Sequence, residues 1–151
     1  MTILDVLTIP NPVLLQPCTE VTEFDEGLVS FVNDLFETMV DQKGIGLAAP
    51  QVGILERICV CHTGKAQLIL INPKITKTSG LFRSEEGCLS IPDVLYDVPR
   101  YQFVTVEYDT LEGERTSYEA KDLMAVVIQH EIDHLDGILI NAIGNLIEKE
   151  S

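Results

Sequence analysis

The segment His130-Glu131-Ile132-Asp133-His134 sets two imidazoles four residues apart, with a carboxylate beside the first. On a helix, residues four apart share a face with Cβ atoms about 5–6 Å apart, so both rings can converge on one ion. Glu131 then lies about 100° round from His130, next to the ion rather than bound to it. That is where a base for an ion-held water belongs. The bland alternative is a pair of core histidines satisfied by neighbours; the intervening Glu and the apolar stripe the two rings continue favour metal binding. A catalytic centre of this kind takes three protein ligands and keeps one position for water. The pattern HExxHxxGxxH would supply a third histidine, but here Gly137 fits and Ile140 stands at the last position. Downstream, only Glu148 and Glu150 remain, near a terminus expected to be frayed and too short for a further helix. The third donor is therefore expected upstream, from His62, an acidic residue or one of the thiols Cys18, Cys59, Cys61 and Cys88.

The elements that must position these groups are readable in outline. A helix is predicted over about 121–136, opened by Asp122 and closed by Gly137. At helical spacing, Leu123, Val126 and Val127 share the stripe of His130 and His134, while Met124, Ile128, Ile132 and Leu135 form an opposite apolar face. A helix apolar on two faces is central and enclosed. A long N-terminal helix is predicted over about 25–42 from Leu28, Phe31, Val32, Leu35 and Met39, with Gly44 as its stop. Residues 10–24, with Pro10, Pro12 and Pro17, read as irregular, and Gly44–Gly53 as a loop leading into strand structure. Short strands are expected at Arg57–Cys61, Gln67–Asn72, Lys74–Thr78 and Phe103–Tyr108, the last paired with Arg115–Ala120 across Glu112-Gly113. The fold class is α+β: mostly antiparallel strands around a central C-terminal metal-binding helix, with a long N-terminal helix.

Composition narrows the function. A chain of 151 residues, 46% hydrophobic and 23% charged, predicts one domain over 1–151. Ten Lys and Arg against 24 Asp and Glu give a net charge of −14, a field that repels nucleic acid and acidic membranes. The longest strictly apolar run, Leu123–Ile128, is far too short to span a bilayer. The start Met1-Thr2-Ile3-Leu4-Asp5 lacks a basic region followed by an apolar one, so a cytoplasmic protein with reduced thiols is expected. Cys59 and Cys61, two apart in a strand, read as small apolar core groups, Cys18 has no evident partner, and His62 reads as a surface histidine.

Three segments carry a family resemblance: Gly44-Ile45-Gly46-Leu47-Ala48-Ala49-Pro50-Gln51, Glu86-Gly87-Cys88-Leu89-Ser90, and Gln129–Gly137. They match GxGLAAxQ, EGCLS and QHExDHLxG in order and spacing, so the chain resembles the peptide deformylases. The resemblance implies a metallohydrolase that removes the N-formyl group from the formyl-methionine of newly made polypeptides, releasing formate. It implies that Cys88, His130 and His134 hold one divalent cation, Fe²⁺ in cells, with Zn²⁺, Ni²⁺ and Co²⁺ also suited to the donors. Glu131 becomes the general base, and the Gln51 side-chain amide and Leu89 backbone N–H become the donors to the developing oxyanion. Gly44, Ile45 and Gly46 are expected to take the substrate backbone as an added strand. Gly87 permits an unusual turn, and Ile45, Glu86, Leu123, Val126 and Val127 are expected around the methionine side chain.

Two departures stand out. Many bacterial members carry an arginine shortly after EGCLS, where this chain reads Asp93-Val94-Leu95-Tyr96. The chain also ends soon after His134 without the longer, often basic C-terminal helix linked with ribosome docking. With the net charge, this implies weak or no ribosome docking and a monomer similar to the short forms, viral ones (acting in a host cytoplasm) among them. The rivals are another HExxH metallohydrolase, such as a small peptidase, and a non-catalytic module that keeps a metal for stability.

Overall fold

In the computed structural model, which describes residues 2–64 and 66–149, the chain first crosses the surface as an irregular segment with one 3-10 turn at Pro12–Leu15. Helix α1 follows at Glu26–Asp41. Its start is capped by the Asp25 carboxylate, which accepts the Leu28 N–H at 3.0 Å. The left-handed residue that ends it is Lys43, at φ +58°, and not the expected Gly44; the Gly44 N–H instead donates to the Met39 carbonyl at 2.9 Å.

Strands β1 (Gly46–Ala48), β2 (Ile58–Thr63), β3 (Ala66–Cys88), β4 (Ile91–Asp109) and β5 (Arg115–Lys121) pair antiparallel in sequence order. β2 shows the period-two logic plainly. Ile58 and Val60 pack with Leu28, Val32, Leu35 and Met39 of α1, while Cys59 and Cys61 face the other way, among the buried side chains of the second helix. That second helix, α2, spans Asp122–Leu135. The sheet is thereby sandwiched between α1 and α2, and the four cysteines are free thiols.

Three expectations are corrected. The separate strands at Gln67–Asn72 and Lys74–Thr78 are one strand, β3, which runs on through the Glu85–Cys88 segment. Proline and glycine obscured this: Pro73 falls in a register shift between Ile71 and Lys74, and Gly80 is left-handed at φ +76°. Asp122 begins α2 but does not cap it. Its backbone is itself left-handed (φ +55°), and its carboxylate accepts from Gln102 Nε2 at 3.1 Å, leaving Lys121 as the cap position with no side-chain bond. The expected frayed end is a paired strand. After a short helix α3 (Ile140–Ile143), β6 (Asn145–Lys149) pairs with Val94–Asp97 of β4, because β5 covers only Phe103–Asp109 on that edge. Glu150 lies outside the described residues.

The C-terminal end of α2 follows the sequence reading. Gly137 is left-handed at φ +75°, and the Ile138 N–H returns to the Asp133 carbonyl at 2.8 Å. A Cβ at Gly137 would also meet the Leu15 carbonyl oxygen at 2.6 Å, so close approach demands glycine there as well. Among the described residues, no helix is long and apolar enough to cross a membrane.

Candidate metal centre and active site

Cys88 ends β3, and a two-residue turn, Leu89-Ser90, returns the chain into β4. This hairpin tip packs against the middle of α2, where His130 and His134 sit one turn apart. The Cys88 Sγ and one nitrogen of each imidazole lie within 4.8 Å of one another, with Cys88 Sγ 3.3 Å from His134 Nε2. Donors holding one cation tetrahedrally through bonds of about 2.0–2.3 Å stand roughly 3.5 Å apart, so this cluster fits one first-row divalent ion. The donor set also fits: a thiolate and two imidazoles leave a fourth position open.

Each donor is held by its surroundings. His130 Nδ1 lies 2.9 Å from Glu86 Oε1, which turns its Nε2 toward the cluster. Both Glu86 oxygens are gripped in turn by Arg100, whose Nε and Nη2 each donate at 2.8 Å, while Nη1 donates to Asp133 Oδ2 at 2.6 Å. Burial acts on Glu86 to raise its pKa, but the bonds from Arg100 and His130 outweigh it and hold the carboxyl at about 2. Burial would also strip His130 of its proton; its contacts with Cys88 and Glu86, and the nearby Glu131, overcome this and push it up to about 10. His134, buried and facing His130 and Arg100, is pushed well below its ordinary value. Two adjacent imidazoles are thus driven in opposite directions, one by the anionic groups beside it and the other by burial.

Glu131 is 4% exposed, and its Oε1 has no partner. Burial pushes its carboxyl up to about 7. Gly46 explains how a carboxylate fits there: a Cβ at that position would lie 2.9 Å from Glu131 Cδ and 2.9 Å from Val127 Cγ1. Gln51 is buried in a 3-10 turn at Ala49–Val52. Its Oε1 accepts the Ala48 N–H at 3.0 Å, so its amide is fixed with Nε2 toward Ser90 Oγ (3.1 Å) and Cys88 Sγ (3.8 Å).

These groups open onto one cleft of about 860 Å³. One wall is Gly44, Ile45 and Gly46, leading into the terminal strand of the sheet; another is Glu86, Gly87, Cys88 and Leu89; α2 contributes Leu123, Val126, Val127, His130 and Glu131. His134 alone among the site residues read from sequence stays behind the cleft wall. Leu123, expected on the enclosed stripe, is 54% exposed, because it sits in the first turn of α2 where the cleft opens. His62 is not part of the cluster; its ring lies 5.9 Å from that of Phe36.

A family model described as polypeptide deformylase matches residues 3–147. The chain belongs to the peptide deformylase family. Among deformylases of known sequence, that of Heliobacterium modesticaldum is 45% identical to this chain over 92% of both. The crystal structure of the Thermotoga maritima deformylase superposes with a TM-score of 0.92 at 37% identity, covering 95% of this chain and 98% of its own. The Synechococcus elongatus deformylase, solved in complex with actinonin, superposes at 0.88 with 43% identity, covering 91% of this chain and 76% of its own. Deformylases are metal-dependent, and among the described residues Cys88, His130 and His134 form a cluster that could hold the ion.

Sequence reading passed over Arg100, Asp133 and Ser90. Ser90 and Asp133 lie inside the EGCLS and QHExDHLxG segments, which marked them only as motif letters, while Arg100 lies outside all three segments.

Proposed function

We propose that the chain, as one catalytic domain over 1–151, hydrolyses the N-formyl group from the formyl-methionine of newly made polypeptides and releases formate. The observation that carries this reading is the meeting of Cys88, His130 and His134 beside an unpartnered, buried Glu131, in a chain of the deformylase family. Cys88, His130 and His134 would hold a divalent cation, which would supply Lewis acidity and make a water more acidic. Fe²⁺ is the cation in cells on the strength of the family resemblance, and Zn²⁺, Ni²⁺ and Co²⁺ suit the same donors.

The chain's own residues do the rest. Glu131 Oε1, free of other partners, accepts the proton of the attacking water and returns it to the departing amine. Gln51 Nε2, oriented by the Ala48 N–H on its Oε1, and the Leu89 backbone N–H donate to the formyl oxygen as negative charge builds there. The stretch Gly44–Gly46 pairs with the substrate backbone, and Val126, Val127, Ile45 and Leu123, with Glu86 and Gly87, enclose the methionine side chain. The chain acts in the cytoplasm as a free monomer, and its net charge of −14 supports weak or no docking on the polyanionic ribosome.

The test is formate release from a formyl-methionyl tripeptide by protein loaded anaerobically with Fe²⁺, followed by elemental analysis. Turnover is expected in the loaded protein, and Glu131→Gln is expected to lose about 10²–10⁴-fold while keeping its metal. Peptide-bond cleavage without formate release would replace this reading with that of a peptidase.

A further inference from the structure

We propose that Arg100 is a positioning residue for the metal centre: acting through Glu86, it locks His130 with Nδ1 protonated and Nε2 aimed at the cation. The proposal rests on the metal-site reading above and extends it outward by two side chains.

Arg100 is 3% exposed, deep in β4, and all three of its nitrogens are committed. Nε and Nη2 take the two oxygens of Glu86 in parallel, both at 2.8 Å. A two-pronged guanidinium grip fixes the plane of a carboxylate as well as its position. One lone pair of Oε1 is left to accept from His130 Nδ1, at 2.9 Å. Nη1 reaches Asp133, one helical turn along α2 from His130. Arg100 therefore ties the β3 end that carries Cys88 to the helix that carries both imidazoles. A carboxylate bonded to the second nitrogen of a metal-bound histidine sets its tautomer and its ring angle. Here that carboxylate is buried, and without the fork it would be free to rotate away from the imidazole. Lysine cannot replace the fork, because an ammonium offers one point of charge rather than a plane.

The test uses the full chain with Arg100→Gln, Arg100→Lys, Glu86→Gln and the double variant Glu86→Gln/Arg100→Gln. Circular dichroism and melting of the metal-free proteins establish folding. Zn²⁺ affinity is measured against a competing fluorescent chelator, and the visible spectrum of the Co²⁺-loaded protein reports ligand geometry. Both Arg100 variants are expected to bind Zn²⁺ about 10–100-fold more weakly with an altered Co²⁺ spectrum. The double variant is expected to match Glu86→Gln, since the arginine acts through that carboxylate. Folded Arg100 variants with unchanged affinity and spectrum overturn the proposal, as does a double variant whose loss is the product of the two single fold-losses. If neither Arg100 variant folds, the residue is a brace of the fold and the proposal falls. Wild-type protein that binds Zn²⁺ at Cys88, His130 and His134 yet releases no formate would sink the activity reading and leave this one standing.

Discussion

Gly46→Ala tests the active-site geometry with one methyl group. The glycine is not left-handed and sits in a β-strand, so alanine suits the backbone and any effect is steric. The new Cβ would stand 2.9 Å from Glu131 Cδ and 2.9 Å from Val127 Cγ1, against ordinary contacts of about 3.5–4.0 Å. Glu131 Oε2 is nearer still, so relief requires a shift of roughly 1 Å, and the carboxylate is the more movable group because its Oε1 is unbonded. Displacing a catalytic group by about 1 Å costs on the order of 10²-fold in rate, equivalent to about 2.7 kcal/mol in the barrier. Overpacking adds about 1–3 kcal/mol of destabilisation, visible as a lower melting temperature. A formate-release assay on metal-loaded protein should show kcat down about 100-fold, with KM and metal content near wild type. Gly64→Ala, where a Cβ meets nothing within 4 Å, should behave as wild type. Wild-type kcat in Gly46→Ala would refute the placement of Glu131 as the proton carrier. A raised KM with kcat intact would mean that the methyl group obstructs the peptide instead.

Gly137→Ala combines left-handed strain with a collision against the Leu15 backbone, and should lower stability by about 2–4 kcal/mol in thermal melts. Cys18, its thiol pushed up to about 11 by burial, should react with iodoacetamide at pH 8 roughly 100-fold or more below an unperturbed thiol, as read by mass spectrometry. The exposed rim of the cleft carries Glu85, Asp93 and Asp122 against Lys43. Formyl-Met peptides with Lys as the next residue should therefore have a KM about 2–5-fold below those with Glu, a gap that closes in 0.5 M salt.

What could be read from the sequence divides by the range of the interactions involved. The span of α1 was legible because its apolar spacing acts within a few residues, and Gly137 marked the end of α2 for the same reason. The meeting of His130 with His134 is likewise local, set by one helical turn. Cys88 stood among four candidate thiols, and only motif resemblance singled it out, since nothing near it in the chain announces that the hairpin tip will dock on α2. The continuity of β3 and β4 was hidden by Pro73, Gly80 and Pro92, which break a strand pattern while a long twisted ribbon absorbs them at bulges and edges. Arg100 was illegible because its partners lie 14 and 33 residues away, and only the fold makes them neighbours.

β6 has a bearing on how this chain can be handled. It covers the backbone of Val94–Asp97, only a few residues along β4 from the hairpin tip that presents Cys88. Were those five residues clipped by a protease, or pulled away by a bulky fusion, a stretch of unpaired amides and carbonyls would be bared beside the catalytic hairpin. Exposed β edges recruit other chains, so self-association and loss of activity would be expected to set in together.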